Sequence, residues 1–194
     1  MAYETPEIFD FDLDSGFCLQ KEPMHRHLSA MNGMFHDEAA YQAAMKDNPR
    51  IYSFYDMDVP ARSTDLAYGT SICYPGKVGD EFFMTKGHYH EIMDTAEVYY
   101  CQQGRGLMMM ETLDGRWDCK ELVPGRVVYV PGGWAHRSIN IGDVPFVTFF
   151  VFRADAGHDY ATIEHNSFRK CVVADQGGYA VIDNPNWQGG ELAK

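Results

Sequence analysis

The sequence predicts an all-β protein, an antiparallel sandwich or barrel. Short segments with strand character follow one another from residue 51 to residue 153, and turns bearing glycine or proline separate them. No helix-forming stretch stands between consecutive segments. Parallel strands need long, usually helical, crossovers, so a parallel α/β arrangement is excluded.

Residues 1–35 read as an irregular extension, broken by Pro6, Gly16, Pro23 and Gly33. A short helix follows: Asp37 can cap it, Ala39, Ala40, Ala43 and Ala44 favour it, and Asn48-Pro49 ends it. Strand segments then run at 51–57, 67–74, 81–85, 96–102, 106–112, 117–123, 126–130, 135–141 and 145–153. Tyr74-Pro75-Gly76, Gln103-Gly104, Asp114-Gly115, Pro124-Gly125, Pro131-Gly132-Gly133 and Gly142-Asp143 punctuate them. Two more, 170–174 and 179–182, flank Gly177-Gly178. The 194 residues fit one domain without a linker, its barrel core over about residues 50–155.

Apolar residues make up 45% and charged residues 23%, the balance of a folded chain. A net charge of −12 argues against nucleic acid and anionic membranes as partners. The longest apolar run, residues 144–152, is about half a membrane span. The acidic start Met1-Ala2-Tyr3-Glu4-Thr5 lacks the basic and apolar regions of a signal peptide. Cys18, Cys73, Cys101, Cys119 and Cys171 are odd in number and form no C-x-x-C pair, which fits reduced thiols. A cytoplasmic protein is expected.

Two His-x-His pairs stand out. His25-Arg26-His27 lies in a non-periodic stretch with a cation between its imidazoles, and reads as a surface or structural feature. His88-Tyr89-His90 follows a strand segment, where residues i and i+2 share a face, so two imidazoles can meet one ion. Glu97 opens the next strand segment. Met108-Met109-Met110 reads as core packing.

Gly125-x5-Pro131-x-Gly133-x2-His136-x3-Asn140 matches the second cupin motif at every fixed position. His88-x-His90-x6-Glu97-x6-Gly104 resembles the first, with a longer spacer before the glutamate and Phe82 in place of the leading glycine. The resemblance implies a double-stranded β-helix, a jelly-roll-like barrel, in which His88, His90, Glu97 and His136 meet one metal. Three imidazoles and a carboxylate suit one divalent first-row ion per chain, iron or manganese first, zinc or nickel as alternatives. Two adjacent coordination positions would stay open to substrate.

The stretch Thr85-Lys86-Gly87-His88-Tyr89-His90, with Ala96-Glu97-Val98-Tyr99 and Gln103-Gly104-Arg105-Gly106, closely resembles the cupin-type phosphoglucose isomerases. Leu28 to Phe35, Tyr52, His158-Asp159-Tyr160 and Asp183 to Trp187 extend the likeness over nearly the whole chain. The resemblance implies metal-dependent interconversion of glucose 6-phosphate and fructose 6-phosphate. Tyr52, Ser71, Thr85 and Gly87 would bind the phosphate, and Tyr99, His158 and Tyr160 would face the sugar. Serine at 71 keeps the hydroxyl of the family's usual threonine; phenylalanine at 152 replaces a tyrosine found in some members. Alternation points Lys86 away from Thr85 and Gly87. Read from its neighbours alone, His158 sits in a turn-like, solvated stretch.

Glu97 would be the carbon base of an enediol route, and a hydride shift would need none; His136 or His158 would assist ring opening. The alternatives are a cupin dioxygenase, which calls for an apolar pocket, and a non-catalytic sugar- or metal-binding cupin. A homodimer is expected, with the N-terminal 35 residues lying across a neighbouring barrel.

Overall fold

The computed structural model describes residues 6–189 and 191–192. Its elements, in chain order, are β1 (Met24–His27), α1 (Glu38–Ala44), β2 (Arg50–Phe54), β3 (Leu66–Cys73), β4 (Lys77–Val78), β5 (Glu81–Phe82), β6 (Glu97–Gln103) and β7 (Gly106–Glu111). There follow β8 (Trp117–Leu122), β9 (Val127–Val130), β10 (Ala135–Asn140), β11 (Phe146–Arg153), α2 (Tyr160–Asn166), β12 (Lys170–Asp175) and β13 (Gly178–Asp183). All strand pairs are antiparallel. One layer is a six-stranded sheet in the order β1-β2-β3-β11-β6-β9. The facing layer combines β10-β7-β8 with β13-β12-β5-β4. Residues 83–88 join its two parts along β10, through bonds such as Thr85 N–H to Ser138 O at 2.8 Å and Asn140 N–H to Phe83 O at 2.9 Å.

The core lies between the layers. Met108, Met109 and Met110 are buried there with Ile51, Leu107, Phe146 and Phe168, side chains worth about 1.5–3 kcal/mol each when fully buried. Asn140, the last residue of the second cupin motif, ties the layers together. Its Nδ2 donates to Cys73 O at 2.8 Å and Val144 O at 2.9 Å, while its Oδ1 accepts from Gly142 N–H at 2.8 Å. Asn140→Leu strands those buried groups, so urea unfolding should show a loss of at least about 2 kcal/mol. Gly104 turns β6 into β7 at φ +79°, where a Cβ would come within 2.3 Å of Pro145 O.

The helix expected after Asp37 is α1: Asp37 Oδ1 accepts from Ala40 N–H at 2.9 Å, and Tyr41 is buried. Two parts differ from expectation. Residues 24–31 are ordered, as β1 paired to β2 and a 3-10 turn at Leu28–Met31; β1 is too short and polar to show an apolar alternation. The N-terminal segment packs on its own barrel: Phe9, Phe11, Phe17 and Cys18 lie against Tyr55, Ile72 and Val147 on the outer face of the six-stranded sheet. A second helix, α2, also forms. Asp159 caps it by accepting from Thr162 N–H at 3.0 Å, in a stretch whose Gly-His-Asp reads locally as a turn. All five cysteines are unpaired. Among the described residues no helix is long and apolar enough to cross a membrane.

Candidate active site

Strand alternation builds the site. Alternate residues point to one face of a strand, and those facing inward line a single pocket of about 290 Å³. They are Met24 and Arg26 of β1, Tyr52 and Phe54 of β2, Ser71 of β3, Glu97 and Tyr99 of β6, His136 and Ser138 of β10, and Phe150 and Phe152 of β11. Thr85, Gly87, His88, His158 and Tyr160 line it from the facing layer, and Tyr55, Asp56, Ala67 and Tyr68 complete the wall.

At the inner end, one ligand atom from each of His88, His90, Glu97 and His136 lies within 4.8 Å of the others. Glu97 Oε2 is the common point, 2.9 Å from His136 Nε2, 3.1 Å from His90 Nε2 and 3.9 Å from His88 Nε2. The outer ring nitrogens are held. His90 Nδ1 meets Thr95 Oγ1 at 2.7 Å and Thr95 O at 3.1 Å, and His136 Nδ1 meets Trp134 O at 3.2 Å. That turns both Nε2 atoms inward, the orientation that ligand histidines take. The six-residue spacer between His90 and Glu97 is what delivers Thr95. His88 Nε2 is buried with no hydrogen-bond partner among the described residues.

Burial and the neighbouring His136 and His158 keep the His88 imidazole neutral, well below the usual histidine range. Burial alone would raise Glu97, but His136 and the hydrogen bonds from His136 and His90 outweigh it and hold it ionised. Burial and the Glu97 carboxylate push the Tyr99 phenol well up, so it stays a hydroxyl.

The outer end is polar. Thr85 Oγ1 accepts from Ser138 N–H at 3.0 Å, which leaves its own O–H free to donate into the pocket. Gly87 adopts φ +78°, and a Cβ there would come within 2.7 Å of Phe168 and 2.9 Å of His136 O, so only glycine fits beside His88. Tyr52 is the cross-strand partner of Arg26, and its hydroxyl meets the Arg26 guanidinium and the Lys86 backbone. Lys86 itself turns outward, its ammonium 2.5 Å from Glu164 Oε1.

Paired bridges bring His158 to His88: Tyr89 exchanges backbone bonds with Asp159 on one side, and His88 with His136 on the other. His158 is therefore no solvated loop residue. It stacks on Tyr160 at 5.6 Å and lies edge-on to His88 at 4.3 Å. Every residue given a site role from the sequence lines this pocket except His90, which lies behind the wall with Phe152 stacked on it at 5.7 Å. Sequence reasoning missed Arg26, the one arginine or lysine in the pocket wall. The available signal was the Met24/Arg26 alternation opposite Tyr52 and Phe54, with Arg26 set over the Phe54 ring at 5.1 Å.

Residues 25–188 match the family model of glucose-6-phosphate isomerase. The chain belongs to the glucose-6-phosphate isomerase family. Among members of the family, the glucose-6-phosphate isomerase of Thermococcus litoralis is 43% identical over 189 residues, covering 97% of this chain and 100% of that protein. The glucose-6-phosphate isomerase of Pyrococcus furiosus is 42% identical over 187 residues, covering 96% and 99%. Among solved structures, an oxalate oxidase with the substrate analogue glycolate superposes with a TM-score of 0.50 at 15% identity, over 61% of this chain and 59% of that one. At that identity the likeness is one of fold: this isomerase-family chain has the all-β cupin architecture.

Proposed function

We propose that the protein is a metal-dependent aldose–ketose isomerase interconverting glucose 6-phosphate and fructose 6-phosphate. One observation carries this reading beyond family membership. A single pocket has an imidazole–carboxylate cluster at its inner end and a cation with several hydrogen-bond donors at its outer end. A sugar phosphate presents matching parts, a carbonyl with its neighbouring hydroxyl at one end and a dianion at the other.

The donor set fits a metal. Three imidazoles, one carboxylate and an unpartnered buried Nε2 suit a divalent first-row ion, iron or manganese first and zinc or nickel as alternatives, held by His88, His90, Glu97 and His136. When bound, such an ion supplies a Lewis acid for neighbouring sugar oxygens. The chain's own residues do the rest. Arg26, Tyr52, Ser71, Thr85 and the Gly87 N–H hold the phosphate. Tyr99 and Tyr160 donate to sugar hydroxyls, and their burial keeps both phenols protonated. Glu97, ionised, takes the C2 proton in an enediol route, and in a hydride shift it only anchors the cluster. His136 and His158 serve ring opening; burial lowers His158, so it enters as a neutral base. Phe54, Phe150 and Phe152 wall the other side and exclude water.

Thr95→Val removes the Oγ1 partner of His90 without touching the pocket. Metal affinity, read by competition with a chelator, should drop roughly 10- to 100-fold. A homodimer is part of the reading, supported by an exposed apolar stripe of Val98, Tyr100, Val127 and Tyr129 on the outer face of β6 and β9. Sedimentation at micromolar concentration should give twice the chain mass, and Tyr129→Glu with Val127→Glu should halve it. Five unpaired thiols support the cytoplasm. Metal-loaded protein given fructose 6-phosphate under argon should form glucose 6-phosphate; turnover that required dioxygen would overturn the proposal.

A further inference from the structure

A second group of metal-type side chains converges on the far side of the facing layer, where the N-terminal segment, the barrel and the C-terminal hairpin meet. His36 stands just before the α1 cap, Glu81 lies on β5 and Cys171 on β12. A ring nitrogen, a carboxylate oxygen and the thiol sulfur lie within 4.8 Å of one another. Glu81 and Cys171 are each only 1% exposed.

We infer that His36, Glu81 and Cys171 form a second, structural cation site for a zinc-class divalent ion, separate from the cluster in the pocket. Nitrogen, oxygen and sulfur donors of these three types are those zinc takes in proteins. The histidine is oriented as a ligand would be. Its Nδ1 faces Glu81 Oε2 at 2.9 Å, while its Nε2 lies 3.2 Å from Asp80 Oδ1. A ligand histidine commonly gives its other N–H to a carboxylate in this way, which fixes the ring. The His36 N–H also donates to Glu81 Oε2 at 2.8 Å, and Asn186 donates to His36 O at 3.3 Å, so the backbone beneath the ring is held as well. An ion pair between His36 and Glu81, with the buried Arg137 guanidinium also acting on Glu81, accounts for two of the three groups and leaves the thiol set against both.

Binding displaces the thiol proton of Cys171, so a proton leaves as the cation enters. Burial and the carboxylates of Glu81, Asp80 and Asp183 raise the Cys171 thiol to about 12 against the pull of the Arg137 guanidinium, so the free site holds a thiol and affinity climbs with pH. His36 is partly exposed, which leaves an entry path. The bound ion would join positions 36, 81 and 171, clipping both ends of the chain to the barrel.

Cobalt titration of the metal-stripped, full-length protein tests this. A thiolate ligand gives a near-ultraviolet sulfur-to-cobalt charge-transfer band, which an imidazole–carboxylate centre cannot produce. The unsubstituted protein should show that band and bind a second equivalent of cobalt per chain. Cys171→Ser should lose both, although four other cysteines remain, and keep the first equivalent. His36→Ala, at a partly exposed position, should also lose the second equivalent, and serves if the serine variant fails to fold. Absence of the band from the unsubstituted protein, or an undiminished band and stoichiometry in either folded variant, would overturn the second site. Isomerase activity does not enter this readout, so the two proposals fail separately.

Discussion

Glu97→Gln is expected to lower turnover of fructose 6-phosphate by a factor on the order of 10⁴, with the fold intact. Glu97 Oε2 is the point on which all three imidazoles converge, at 2.9, 3.1 and 3.9 Å. The amide keeps the shape but removes the negative charge that neutralises a cation and the lone pair that accepts a proton. Metal content and turnover should therefore fall together, while circular dichroism and unfolding change little. His88→Ala should act through occupancy alone: its Nε2 makes no hydrogen bond that the barrel would lose. A Glu97→Gln protein with more than a tenth of the original turnover would contradict both roles of the carboxylate.

Fructose 6-phosphate should be converted more efficiently than free fructose by a factor on the order of 10³ or more. Hydrogen bonds to a charged group are worth about 1.5–3 kcal/mol each, so two or three suffice for that ratio. The residues proposed to hold the phosphate come from separate parts of the chain, Arg26 on β1, Tyr52 on β2, Ser71 on β3 and the Thr85–Gly87 segment. Arg26→Ala should cost fructose 6-phosphate about 100-fold in kcat/KM and leave free fructose nearly unchanged. Thr85→Ala should cost it about 10-fold. Part of each loss should fall on kcat, because binding energy at the phosphate orients C1 and C2 against the inner cluster. Equal efficiency with the two sugars would remove the phosphate assignments.

The barrel was legible because short segments, mostly rich in β-branched or aromatic residues, recur between turns bearing glycine or proline. Glu97-Val98-Tyr99-Tyr100 alternates buried and exposed, and the structure keeps that alternation. Asp37 announced α1 through a single side-chain cap. The second cupin motif could be read because its fixed residues keep a set spacing along one stretch, although Asn140 acts on Cys73, 67 positions away. What escaped has a common physical cause: the information lies in partners distant along the chain. β1 is four mostly polar residues whose strand character comes from pairing with β2, so Arg26 had no visible face until Tyr52 stood opposite it. His158 reads as a loop histidine until the Tyr89–Asp159 pairing draws it against His88. The role of Thr95 depends on the turn between His90 and Glu97, and that turn closes only when both ends meet in the cluster. His36 and Cys171, 135 positions apart, show no relation in the linear text.

The most direct measurement is the isomerisation of fructose 6-phosphate by one preparation in two states, stripped by a chelator and then reloaded with iron or manganese. The account predicts that the stripped protein is folded but inactive, and that the added ion restores glucose 6-phosphate formation. Undiminished turnover in the stripped protein would contradict it.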